Sequence, residues 1–279
     1  MKFQVKALVA ALALSAATIP AHAAMTFAPS GSSSMILTLL DFNSNMSATF
    51  DLGYSFDSFQ TMVEDTHKTG VTSLDGLTKS MTFDLASGDY ADAWTAYWST
   101  ASATTTKWAI YAADGSGTGL DSRGIISTYK SGSNLTNSNQ LQTSIANFNS
   151  YMTNNNGGLG TISSNHDSVD NGASTVATNL SQAYAGRAVA YGSTGRINGQ
   201  GHVSMDNLDT SLTVVQQKMG ATQASAPSFN TLGLHGDYKF TMNSNGALEF
   251  VVPVPEADSY AMLLAGLGVV GLVARRRKA

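Results

Sequence analysis

DYKFTMNSNGALEFVV, residues 237–252, is the stretch from which the fold can be read. Tyr238, Phe240 and Met242 alternate with polar residues ahead of Asn243-Ser244-Asn245-Gly246, and Leu248, Phe250 and Val252 alternate after it. Period-two apolarity on both sides of an Asn-Gly is the pattern of a β-hairpin. Working outward, residues 211–216 predict a preceding strand, and residues 221–228 a small-residue loop. Near the other end, residues 35–42 and 46–56 are two β-prone apolar runs split by Asn43-Ser44-Asn45, which predicts a second hairpin. Residues 79–85, 107–112 and 124–129 read as further strands, the last two joined across the turn Asp114-Gly115-Ser116-Gly117-Thr118-Gly119.

The middle of the chain has a different period. Leu141, Ile145, Phe148 and Met152 recur at helical spacing, with Ser138 as the expected N-cap. Asn154-Asn155-Asn156-Gly157-Gly158 is expected to end that helix in left-handed backbone. Val176, Leu180 and Tyr184 suggest a second helix. The expectation is a mainly β, β-sandwich-like ectodomain over residues 24–252, with a two-helix insertion at about residues 135–188.

Composition points outward from the cell. Only 12% of residues are charged and there is no cysteine, so solubility rests on Ser, Thr, Asn and Gly, with neither a disulfide frame nor a thiolate site. Lys2 and Lys6 precede an apolar run, and Pro20 precedes Ala21-His22-Ala23. That order is a signal peptide over residues 1–23, cut by signal peptidase between Ala23 and Ala24. Removing it and the tail from Glu256 deletes six of 15 basic and two of 19 acidic residues, leaving nine against 17, a net of −8. Such a body repels nucleic acid, so no nucleic-acid partner is expected.

Residues 257–274 are apolar or small apart from Asp258, and Arg275-Arg276-Arg277-Lys278 follows. At about 1.5 Å per residue this makes a helix of roughly 27 Å, close to the thickness of a bilayer core. The basic cluster is a stop-transfer signal that stays cytoplasmic. With Val254-Pro255-Glu256-Ala257 just ahead, the whole of residues 253–279 resembles a PEP-CTERM sorting tail of Gram-negative bacteria, of the VPEA variety. The resemblance implies that exosortase reads the motif while the helix sits transiently in the inner membrane, and that the protein then passes to the cell surface or an exopolysaccharide matrix. In that family the last strand runs almost directly into the motif, as the hairpin at residues 237–252 does.

Signatures of catalysis are missing from the sequence: no G-x-S-x-G, no H-E-x-x-H and no Walker loop. His67, His166, His202 and His235 show no metal-ligand spacing. The oxygens of residues 114–121 resemble a calcium loop, but Ile125 stands where an EF-hand needs Glu. Trp94, Tyr97, Trp98 and Trp108 would stack on sugars if exposed, and fill a core if not. A glycosidase needs two facing carboxylates, and the ectodomain has only Glu64 and Glu249 beside its aspartates. The expectation is therefore a non-enzymatic structural or adhesive surface component without cofactor or metal. The rivals are a carbohydrate-binding module and a secreted hydrolase with an unrecognised site.

Overall fold

A computed structural model describes residues 25–26, 31–68, 81–116, 122–130, 137–157, 173–176, 183–188, 204–232, 238–251 and Leu267. The strands are β1 (Ser34–Asp41), β2 (Met46–Ser55), β3 (Met81–Asp84), β4 (Lys107–Asp114), β5 (Gly124–Tyr129), β6 (Ala173–Val176), β7 (Asp206–Asn207), β8 (Ser211–Lys218), β9 (Ser228–Thr231), β10 (Lys239–Met242) and β11 (Ala247–Val251). The helices are α1 (Phe56–Lys68), α2 (Ala91–Trp98), α3 (Ser138–Asn156) and the single turn α4 (Ala185–Ala188). Both expected hairpins form. In the first, Leu40 faces Ser47 and Asp41 faces Met46, and Asn45 takes the positive φ of 55° at the turn. In the second, Phe240 faces Phe250, and the Gly246 N–H donates to the Asn243 carbonyl at 3.1 Å. Gly246 has φ +98°, and a Cβ there would lie 2.9 Å from the Ala86 Cβ. Dihedral and space both demand glycine.

All pairings are antiparallel and join one sheet in the order β3-β11-β10-β8-β5-β4-β1-β2-β6, with β7 beside β4 and β9 beside β8. This differs from a sandwich of two facing sheets. β8 pairs with β5 through Val215 and Ser127, and with β10 through Leu212 and Phe240. Those two pairings tie the N-terminal and C-terminal strands into one hydrogen-bonded surface.

That surface curls. Tyr54 of β2 meets Phe83 of β3 edge to face at 6.3 Å, although the two strands stand near opposite ends of the order. Inside the curl, Phe59 of α1 packs on Phe240 at 5.9 Å and Phe250 at 5.3 Å. Met35, Leu37 and Leu39 join this inner core. Ile36 and Leu40 face the other way, into an outer core with Leu141, Ile145, Phe148 and Met152 of α3. Period two on β1 thus serves two cores, which is why all eight of its residues are buried. At the seam the Thr175 hydroxyl of β6 donates to the Ala93 carbonyl of α2 at 2.8 Å, and the Tyr90 hydroxyl donates to the Asp51 carbonyl of β2. Trp94 of α2 abuts the turn at Gly246. Helix α2 therefore bridges the two ends of the rolled sheet.

The two-helix insertion needs correction. Helix α3 is present, but Val176 lies in β6 and pairs with Ser47 of β2. The open backbone edge of β2 takes it as a strand, and this tertiary pairing overrides the helical spacing of Val176 and Tyr184. Leu180 lies outside the described residues. Ser138 is not the cap either: the Asn137 side chain accepts from the Gln140 N–H at 3.1 Å. Ser138 instead donates to the Ser225 carbonyl at 2.9 Å and accepts from the Gly220 N–H at 2.7 Å, fastening α3 to the loop after β8. Gly157 ends the helix at φ −73°, in right-handed backbone.

Residues 1–23, the Ala23–Ala24 junction and residues 253–279 apart from Leu267 lie outside the described residues. Among those described, no helix is long and apolar enough to cross a membrane.

Candidate functional site

The last strand is held firmly before the tail departs. β11 lies between β10 and β3, its Leu248 facing Phe83 and its Phe250 facing Met81. The Phe250 ring also meets Tyr238 at 5.9 Å and Phe240 at 4.7 Å. Leu248 and Phe250 are at most 1% exposed. Beyond Val251 come Val252, the Val254-Pro255-Glu256-Ala257 motif and the Arg275–Lys278 cluster, none of them among the described residues. Leu267, within the apolar run, is helical and 60% exposed.

The aromatic set does not form a platform. Trp108 is fully buried and donates from Nε1 to the Asn207 carbonyl at 3.0 Å, pinning β7 to β4. Tyr97 is also fully buried, with its hydroxyl 2.8 Å from Thr106 Oγ1. Burial pushes its phenol well above the ordinary value of 10.0. Trp94 and Trp98 are half-buried and meet at 70° with centroids 5.2 Å apart. The two rings are not coplanar, and Trp94 packs at the seam.

Several carboxylates have structural partners. Glu249 Oε1 accepts from Asn243 Nδ2 at 3.1 Å across the hairpin, and Glu64 lies in α1. Asp114 Oδ1 takes both the N–H and the hydroxyl of Ser116 at 2.8 Å, a tight Asx turn, while residues 117–121 of that loop lie outside the described residues. Asp41 is buried and links the first hairpin to the segment after α2. It accepts from the Ser102 N–H at 3.0 Å, the Ser44 hydroxyl at 2.9 Å and the Asn43 N–H at 3.0 Å. Burial works to raise its pKa, but these hydrogen bonds outweigh it and hold the carboxyl below its ordinary 3.8. His67 lies in α1, and His166, His202 and His235 fall outside the described residues. Among the described residues no group of three or more His, Asp or Glu is placed to hold a metal.

Among the described residues a pocket joins segments that are far apart in the sequence. It is half-open, about 150 Å³, and lined by Gly115, Arg123, Gln142, Ile145, Ala146 and Asn149. The last four share a stripe of α3, whereas the first two flank the turn between β4 and β5. Only the tertiary fold brings them together.

No curated protein and no solved structure matches the chain. A match does fall on the segment that leaves β11: over residues 253–278 the chain carries the PEP-CTERM protein-sorting motif.

Proposed function

We propose that the chain is an exported surface or matrix protein whose β-rich body acts without catalysis, as a structural or adhesive component. The observation that carries the reading is the motif at residues 253–278, which starts two residues past Val251, the end of the last strand. A sorting motif directs a protein to exosortase and the cell surface. The body ahead of it then faces outward, after signal peptidase has removed residues 1–23 and while the apolar tail holds the chain in the inner membrane. The motif is recognised at Val254, Pro255, Glu256 and Ala257, and Arg275, Arg276, Arg277 and Lys278 stop transfer on the cytoplasmic side. The non-catalytic role is supported by the structural engagement of Asp41, Asp114 and Glu249, each of which is tied into a local turn.

Mass spectrometry of the protein from the surface of its native host tests the sorting step. The expected result is a mature chain beginning at Ala24 with no peptide beyond the Pro255-Glu256 region. Intact Arg275–Ala279 on surface protein would instead show a permanent anchor. Replacing Pro255 and Glu256 with alanine is expected to strand the precursor in the inner membrane.

A further inference from the structure

The pocket between α3 and the β4–β5 turn carries a specific chemistry. Gln142, Ile145, Ala146 and Asn149 are spaced i, i+3, i+4 and i+7, so they form one wall from a single helical stripe. Arg123 forms part of the opposite side. It is half-buried, and its Nε is shielded from water without a hydrogen-bond partner. No carboxylate pairs with it among the described residues. A shielded, unbonded guanidinium donor is costly unless something else satisfies the cation. The neighbouring carboxylate of Asp114 is already engaged by Ser116. Gln142 Oε1 accepts from Gln223 Nε2 at 3.2 Å, which orients its amide so that its own NH₂ remains a donor.

We propose that this pocket binds the ring of a carboxylated sugar, a hexuronate unit, which gives the surface reading above its ligand class and rests on that reading. Arginine presents a planar fork that matches a carboxylate. The carboxamide of Gln142 suits hydroxyl groups, which both donate and accept. Ile145 and Ala146 offer an apolar patch to the C–H face of the ring. At about 150 Å³ the space is roughly half that of the smallest drug-sized pockets, about 300 Å³, and accommodates one ring. A phosphate draws on several cations or on a helix N-terminus, whereas the described residues lining this pocket include one cation, and the pocket opens along the middle of α3.

The test is calorimetric titration of the purified full chain in detergent micelles with D-galacturonate. D-galactose serves as the neutral counterpart and inorganic phosphate as the competing anion. Saturable binding of galacturonate at a Kd of about 1 mM is expected, with galactose and phosphate at least about tenfold weaker. Arg123→Gln is expected to weaken galacturonate binding about tenfold or more, and Ala146→Phe, which fills the pocket, to do the same. Ala146→Phe decides the matter if Arg123→Gln fails to fold. Galactose or phosphate binding as tightly as galacturonate, undiminished binding in the folded variants, or no saturation by about 100 mM would each overturn the proposal. Labelling of intact cells is read separately: a chain that binds galacturonate yet is never labelled at the surface overturns the display reading alone.

Discussion

The side chain of Asn156 grips the backbone of Met25 from both sides. The Met25 N–H donates to Asn156 Oδ1 at 2.9 Å, and Asn156 Nδ2 donates to the Met25 carbonyl at 2.9 Å. The Met25 side chain is 2% exposed and lies in the outer core beside α3. If signal peptidase cuts before Ala24, Met25 is the second residue of the mature chain. Met25, one residue from that N-terminus, is then held by the last turn of α3.

Met25→Ala is expected to lower unfolding free energy by about 2–5 kcal/mol, as for other buried methionines cut to alanine. Asn156→Ala leaves two buried backbone groups without their partner, at about 1–3 kcal/mol each where water does not replace it. Urea unfolding of the mature body measures both. Because the two residues touch, their effects should not add; strict additivity in the double variant would show that the grip is not a unit.

Gly246→Ala is expected to cost about 1–3 kcal/mol, since φ +98° is strained for any residue with a Cβ. The new methyl would also press on Ala86 at 2.9 Å and on the Trp94 ring at 3.2 Å. The second contact disturbs α2, so the seam should loosen along with the hairpin. Amide exchange should therefore rise in α2 as well as at residues 243–247; a change confined to the turn would show that α2 does not depend on it.

The two hairpins were legible because their information is local: turn residues beside alternating apolar ones, as at Asn43–Asn45 and Asn243–Gly246. The sorting tail was legible for a similar reason, since apolarity, length and terminal charge lie on one continuous segment. Helix α1 is hard to read although Phe56, Phe59 and Val63 have helical spacing and are all buried, because Phe56 also continues the alternation of β2 and reads as part of that strand. β6 could not be read from Val176, because the open edge of β2 made the choice. β7 is two residues long and exists through Trp108 Nε1 and the ladder to Lys107 and Trp108. The pocket joins Arg123 to a stripe of α3, and no local pattern links a strand start to a helix face.

Acid should weaken the fold through Asp41. Its folded pKa lies below the ordinary 3.8, so its contribution is fully present above that value and is lost as pH falls through and below it. Asp206 acts in the same direction. Burial works to raise its pKa, and the hydrogen bond from Lys130 Nζ, with help from Asn207, lowers it further than burial raises it. Unfolding free energy measured against pH should therefore decline below about pH 4. Asp41→Asn should flatten that decline while costing stability at neutral pH, because the charged acceptor is gone. An unchanged acid slope in Asp41→Asn would remove this carboxyl from the account.

The position of β11 determines where the tail can be cut without loss. Leu248 and Phe250 fill the inner core, and β11 is the strand that pairs with β3. A chain ended after Val252 keeps both side chains and both ladders, so its melting curve should match that of the mature surface protein. A chain ended after Gly246 loses two large core side chains, at about 2–5 kcal/mol each, and leaves β3 without its ladder. Against a total stability of about 5–15 kcal/mol, that chain should not fold cooperatively. Processing at Pro255-Glu256, as proposed above, would fall on the safe side of this boundary by only a few residues, and the cleaving enzyme would then work close against the folded sheet. Native-like melting of the Gly246-terminated chain would show that β11 is dispensable and that the boundary lies elsewhere.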